Sequence, residues 1–176
     1  MTVMVELSDV LKGRVLIVDD QQASVRLLER MLRGAGYVSV TSTLDPHQVC
    51  DLHWKNRYDL ILLDLQMPGL DGFRVLEGLK EVERDGYLSV LVMTAHPGHR
   101  ERALQAGAKD FVSKPFNAVE VLTRVWNMLE LRLLHVKDKK RSRTRWSRTA
   151  SGAAQLPKTD SRSGLRTTSR VAVPRG

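Results

Sequence analysis

The sequence predicts a doubly wound α/β domain, a five-stranded parallel sheet with helices on both faces. Three observations lead there. Short uninterrupted apolar runs alternate with segments of helical spacing over the first 135 residues, and continuous apolar strands are those buried on both faces. Five strand–helix units follow in series, which right-handed crossovers wind into one sheet. Carboxylates close two of the apolar runs, Asp19-Asp20 after the first and Asp64 after the third, at the strand ends where ligands bind in such sheets.

The first strand is Arg14–Asp19, ahead of which residues 1–12 form an N-terminal arm. A helix follows from about Gln22 to Arg33, with Val25, Leu28, Met31 and Leu32 at helical spacing and Gly34 and Gly36 closing it. Tyr37–Thr41 is β-branched and reads as the second strand. Asp45-Pro46-His47-Gln48 starts the next helix, with Asp as N-cap, Pro at the first helical position and Gln at the capping-box position. The third strand is Asp59–Asp64, followed by a sharp turn and a helix from Gly72 to before Gly86. The fourth strand is Leu88–Met93, and its helix runs from after His96-Pro97 to Gly107. The fifth strand is Lys109–Val112. Asn117-Ala-Val-Glu120 is a second capping box, opening a long helix to about His135.

Residues 13–135 thus form one domain, and 136–176 are a basic Ser/Arg-rich tail. The chain of 176 residues carries a net charge of +8, but the tail alone holds 12 Lys/Arg against 2 Asp. The domain is close to neutral. The tail has no periodicity and too little apolar content to stabilise its own ordering, so it reads as disordered. Nucleic-acid contact through its phosphate-seeking cations is a second reading. No helix-turn-helix pattern accompanies it, so sequence-specific DNA recognition is not expected. One cysteine, Cys50, excludes an internal disulfide framework. No run of 18 apolar residues and no secretory signal is present, which leaves a cytoplasmic location as the expectation.

The chemistry lies at the strand ends. Asp19, Asp20 and Asp64 brought into one pocket repel each other unless a cation sits among them. Thr94 puts a hydroxyl at the fourth strand's tip, and Lys114 an ammonium just past the fifth. A metal, a hydroxyl and an ammonium around a nucleophilic aspartate suit phosphoryl transfer to a carboxylate, a reaction that needs positioning and charge stabilisation. Taken alone, the Asp19-Asp20 pair would read as a helix cap and Lys114 as a solvated lysine. Their joint placement argues otherwise. His96 and His99 have a metal-compatible spacing but no third soft ligand, and read as loop histidines. Trp54 and Trp126 read as helix-face packing.

Val15-Leu-Ile-Val-Asp-Asp20, Asp59-Leu-Ile-Leu-Leu-Asp-Leu-Gln-Met-Pro-Gly-Leu-Asp-Gly72, Val92-Met-Thr-Ala95 and Gly107-Ala-Lys-Asp-Phe-Val-Ser-Lys-Pro-Phe116 resemble the receiver domain of bacterial two-component response regulators. The resemblance implies a flavodoxin-like strand order 2-1-3-4-5. It implies Asp64 as the phosphoacceptor for a sensor histidine kinase or phosphotransfer protein, and Mg²⁺ (or Mn²⁺) held by Asp19, Asp20, Asp64 and the backbone carbonyl of Gln66. Thr94 and Phe111 would be the switch pair, Lys114 the phosphate-contacting lysine, and Pro115 the residue of a cis peptide. Gln66 and His96 would flank the acyl phosphate and tune its lifetime. Phe111 departs from the commoner tyrosine and has no hydroxyl. Such a chain is a phosphorylated signalling module, not a turnover enzyme.

Other readings stay open at this level. A haloacid dehalogenase-like phosphatase also uses an aspartyl nucleophile and Mg²⁺, but needs an acid where Gln66 stands. A flavin-binding domain shares the topology, but no glycine- or hydroxyl-rich loop follows the first strand. The last helix carries more apolar residues than one buried face needs, among them Val119, Leu122, Trp126, Leu131 and Leu134. A homodimer through the fourth helix, fifth strand and fifth helix is therefore expected. With no output domain recognisable, the chain reads as a single-domain regulator or one shortened by a frame change near Val136.

Overall fold

A computed structural model describes residues 4–83, 86–96 and 98–152, with side chains described through Thr144. Two units separate along the chain, Met1–Ser142 and Arg143–Gly176. The first contains β1 (Val15–Val18), α2 (Gln22–Gly34), β2 (Val40–Thr43), α3 (Val49–Asn56) and β3 (Leu60–Asp64), preceded by a short α1 (Leu7–Leu11). A hairpin of β4 (Gln66–Met67) and β5 (Leu70–Asp71) leads into α4 (Gly72–Val82). Then come β6 (Val90–Thr94), α5 (His99–Gln105), β7 (Asp110–Ser113) and α6 (Ala118–Gly152).

The main sheet is five-stranded, in order β2-β1-β3-β6-β7, and its strand pairs are all parallel. This is the expected architecture. Alternate residues of each strand feed opposite cores, as the two-residue strand period requires. Val15, Ile17, Leu60, Leu62, Leu91 and Met93 pack with α2 and α6. Leu16, Val18, Ile61, Leu63, Val90 and Val92 pack with α3, α4 and α5. Burial on both faces is why these strands read as unbroken apolar runs.

Three expectations need correction. The second strand begins three residues late because Tyr37 N–H closes the end of α2 on Leu32 O and Val38 N–H donates to Leu11 O. Those amides are therefore not available to the sheet. The helix start at Asp45 is a 3₁₀ turn, Pro46–Gln48, before α3 proper. Asp45 does accept from His47 N at 2.9 Å, but Gln48 reaches the Asp45 carboxylate instead of its backbone, so the capping box is incomplete.

The N-terminal arm packs on the domain. It holds α1, whose Val10 is buried in the core, and Lys137 ties it to α6 through Asp9 Oδ2 at 2.7 Å and Met4 O at 3.0 Å. Finally, α6 passes the expected end at His135, and the backbone stays helical through Gly152. Lys and Arg are good helix formers, and elongation from a helix already anchored on the domain avoids the cost of nucleation. The rest of the tail lies outside the described residues.

Candidate functional site

β1, β3 and β6 are neighbours in the sheet, and β7 completes the row. Their carboxyl tips therefore converge. Asp19 follows β1 and is fully buried; Asp64 ends β3 and is 1% exposed. Backbone amides hold both carboxylates in place. Gln21 N–H donates to Asp19 Oδ1 at 2.9 Å, and Gln66 N–H donates to Asp64 Oδ1 at 3.1 Å. Gln66 itself opens the β4–β5 hairpin, closed by Pro68 and by Gly69, whose φ of +86° favours glycine.

Lys114 reaches across from the end of β7. Its Nζ donates to Asp19 Oδ2 at 2.7 Å and to Asp64 Oδ2 at 2.8 Å. Burial pushes the Asp64 carboxyl above the ordinary carboxylate range, and Asp19 adds to that rise. The Lys114 ammonium and the Gln66 amide oppose it. Burial alone would lower Lys114, yet its two carboxylate partners hold the ammonium above the usual lysine value. The lysine therefore stays charged and neutralises part of the acidic cluster.

Asp19, Asp20 and Asp64 offer carboxylate oxygens within 4.8 Å of one another. Asp20 Oδ1 is buried without a hydrogen-bond partner among the described residues. An all-oxygen set with one orphaned carboxylate oxygen fits a hard divalent cation such as Mg²⁺.

Thr94 is buried at the tip of β6, registered against Ser113 of β7. Its hydroxyl accepts from His96 N–H at 3.0 Å, so it shapes the turn into α5. His96 is exposed on that turn. Phe111 is half-buried on β7 and packs against the α3/α4/α5 core. The Lys114–Pro115 bond is cis.

The residues outside the site fall less neatly. His99 is more than a solvated loop residue, since it meets the Phe73 ring edge-on at 5.9 Å and its Nδ1 is buried. Trp54 is 44% exposed, with Arg57 over its ring, so it packs less than expected. Trp126 does pack against the core.

Sequence reasoning missed the supporting glycine. A Cβ on Gly72 would meet Leu65 Cα at 2.6 Å and Asp64 O at 2.7 Å. The Asp71-Gly72 pair was legible only as a helix start, which it also is, because Asp71 caps Phe73 N–H at 3.0 Å.

Residues 15–126 match the response regulator receiver domain. The chain belongs to the response regulator receiver family. Phosphorylation and Mg²⁺ binding are typical of that family, whose receiver domains are regulatory. Response regulator PleD of Caulobacter vibrioides is 35% identical over 150 residues, covering 83% of this chain and 33% of PleD. Response regulator MprA of a Mycobacterium species is 41% identical over 118 residues, covering 66% of this chain and 50% of MprA. The chain therefore spans about a third of the length of one relative and half of the other.

Among solved structures, the receiver domain of a sensor histidine kinase from Pseudomonas aeruginosa, with a magnesium ion coordinated in its active-site cleft, is 32% identical. It superposes with a TM-score of 0.61, covering 67% of this chain and 98% of that one. Chemotaxis protein CheY4 of Vibrio cholerae is 27% identical with a TM-score of 0.59, covering 65% of this chain and 98% of CheY4. Among the described residues of this receiver, no helix is long and apolar enough to cross a membrane. Membership in the receiver family leaves the flavin-binding and haloacid dehalogenase-like readings without support.

Proposed function

We propose that Asp64 accepts a phosphoryl group from the phosphohistidine of a sensor histidine kinase or phosphotransfer protein. The observation that carries this reading is the convergence of a buried Asp64, a charged Lys114 and a three-carboxylate cluster at one set of strand tips.

Asp19, Asp20, Asp64 and the Gln66 carbonyl are the groups that would hold Mg²⁺, which supplies charge neutralisation for the incoming phosphoryl oxygens. An Asp64 carboxylate oxygen attacks phosphorus; the phosphorus–nitrogen bond breaks and the donor imidazole keeps the electron pair. Lys114 moves its contact from the Asp64 carboxylate to a phosphoryl oxygen. Thr94 gives up the turn contact with His96 and donates its hydroxyl to another. The space behind Thr94 opens, and Phe111 turns into it. Gln66 and His96, one on each side of the acyl phosphate, govern water access and therefore its lifetime.

The face built from α5, β7 and α6 changes shape as Phe111 moves, and this is the output surface, including for homodimerisation. Most of the apolar surplus on α6 is absorbed within the domain. Val121, Val125, Met128 and Leu129 are buried, and Leu122, Trp126 and Leu133 pack against them. Val119 and Leu131, at 74% and 56% exposure, are what α6 leaves for a second chain.

Incubation with acetyl phosphate and Mg²⁺, followed by intact mass, tests the reading. Wild type gains one phosphoryl group and Asp64→Asn gains none. Equal gain by both proteins would refute it.

A further inference from the structure

One element of the α5–β7–α6 face has no role in the chemistry above. Phe111 and Ser113 are two residues apart on β7 and share a face of that strand. Arg100 of α5 engages both. Its guanidinium carbon lies 4.6 Å from the Phe111 ring centroid, and its Nη2 donates to Ser113 Oγ. Arg100 Nε is buried and finds no acceptor among the described residues, so the ring is the principal partner on that side of the guanidinium. Arg124 lies over the same ring at 5.6 Å. It is fully engaged elsewhere, by both Asp110 oxygens at 2.6 Å and by Glu120 at 3.1 Å. Among the described residues Arg100 has no carboxylate partner, so its attachment rests on the Phe111 ring and the Ser113 hydroxyl.

We propose that Arg100 is a positioning residue for phosphorylation: it retains Phe111 in its resting place against the α3/α4/α5 core and so sets the fraction of molecules ready to hold a phosphoryl group on Asp64. Phe111 lacks a hydroxyl that could hydrogen-bond in either position. Its resting place is decided by packing and by the cation over its face. A partly desolvated cation–π contact biases such a two-state ring roughly three- to tenfold. Ser113 carries the same restraint into the backbone, because it is registered against Thr94 and immediately precedes Lys114.

This inference rests on the phosphoacceptor reading and adds what restrains the switch. It is tested by titrating beryllium fluoride, a non-covalent phosphoryl mimic, into Mg²⁺-loaded protein. Arg100→Gln keeps a donor for Ser113 but removes the cation. It should tighten apparent binding roughly three- to tenfold while leaving Mg²⁺ affinity alone. In a Phe111→Leu background, the same substitution should change nothing.

A purely structural role would move Mg²⁺ affinity or act equally in both backgrounds, and either result overturns the inference. So does unchanged or weakened binding by Arg100→Gln when wild type binds normally; the phosphoacceptor reading then survives. If wild type binds no beryllium fluoride at all, that reading fails and the inference falls with it.

Discussion

Lys114 Nζ stands 2.8 Å from Asp64 Oδ2, fifty residues away in sequence, and 2.7 Å from Asp19 Oδ2. One ammonium bridges two buried carboxylates. On the proposed phosphoacceptor reading, the same cation that neutralises the resting cluster meets the incoming phosphoryl oxygens. Lys114→Ala should therefore lower phosphoryl uptake from acetyl phosphate by about 10²-fold, the usual loss when a charge-stabilising donor is removed. Mg²⁺ binding should survive and tighten, because the ammonium no longer offsets the charge of Asp19 and Asp64. Time-resolved mass measurement checks the first effect and a thermal-shift titration the second.

The acidic cluster predicts metal-linked stability. A cation that binds the folded state alone, at a hundred times its dissociation constant, stabilises it by about 2.7 kcal/mol. Mg²⁺ should raise the wild-type melting temperature and chelator should reverse the rise. Asp20→Asn removes the one cluster carboxylate that carries an orphaned buried oxygen, and should remove most of that response. An equal Mg²⁺-induced shift in the variant would place the ion elsewhere.

Gly72 sits against the backbone of Asp64 and Leu65 too closely for a Cβ. Gly72→Ala should destabilise the domain by about 1–3 kcal/mol, the usual range for overpacking. It should also displace the β3–β4 junction that holds Asp64. A lowered urea midpoint with an unchanged slope is the expected signature.

Tyr37 is 4% exposed in the core beneath α2, and burial pushes its phenol up to about 12. The folded state therefore holds the proton more tightly than the unfolded chain, whose tyrosine titrates near 10. The resulting stability is fully present below about pH 10 and is lost as pH rises toward 12. Tyr37→Phe should flatten that part of the stability–pH curve. Parallel curves for the two proteins in denaturant melts across this window would contradict it.

Much of the fold and site was readable from the chain for one physical reason. Strands buried on both faces must be apolar throughout, so Val15–Val18, Leu60–Asp64 and Val90–Thr94 announce themselves, and polar residues at their ends stand out. Asp19, Asp64, Thr94 and Lys114 were legible because each interrupts or follows such a run. What escaped depends on long-range partners. The β4–β5 hairpin is two residues per strand, too short for any periodicity. The Val38 amide was claimed by Leu11, which no local pattern reveals, whereas the Tyr37 amide closes α2 on Leu32 past Gly36, a helix end the glycine already signalled. Arg100 reads as an ordinary helix-surface residue until β7 brings Phe111 and Ser113 beneath it. The length of α6 was missed because a highly charged stretch carries no apolar face, and its helicity continues from an anchored segment.

The most direct measurement is to locate the modified residue. Phosphorylated protein reduced with borohydride converts an aspartyl phosphate to homoserine, which peptide mass mapping can place. The account predicts homoserine at position 64 alone, and only when Mg²⁺ accompanied the phosphodonor. Conversion at position 19 or 20 instead, or at 64 without any divalent ion, would contradict it.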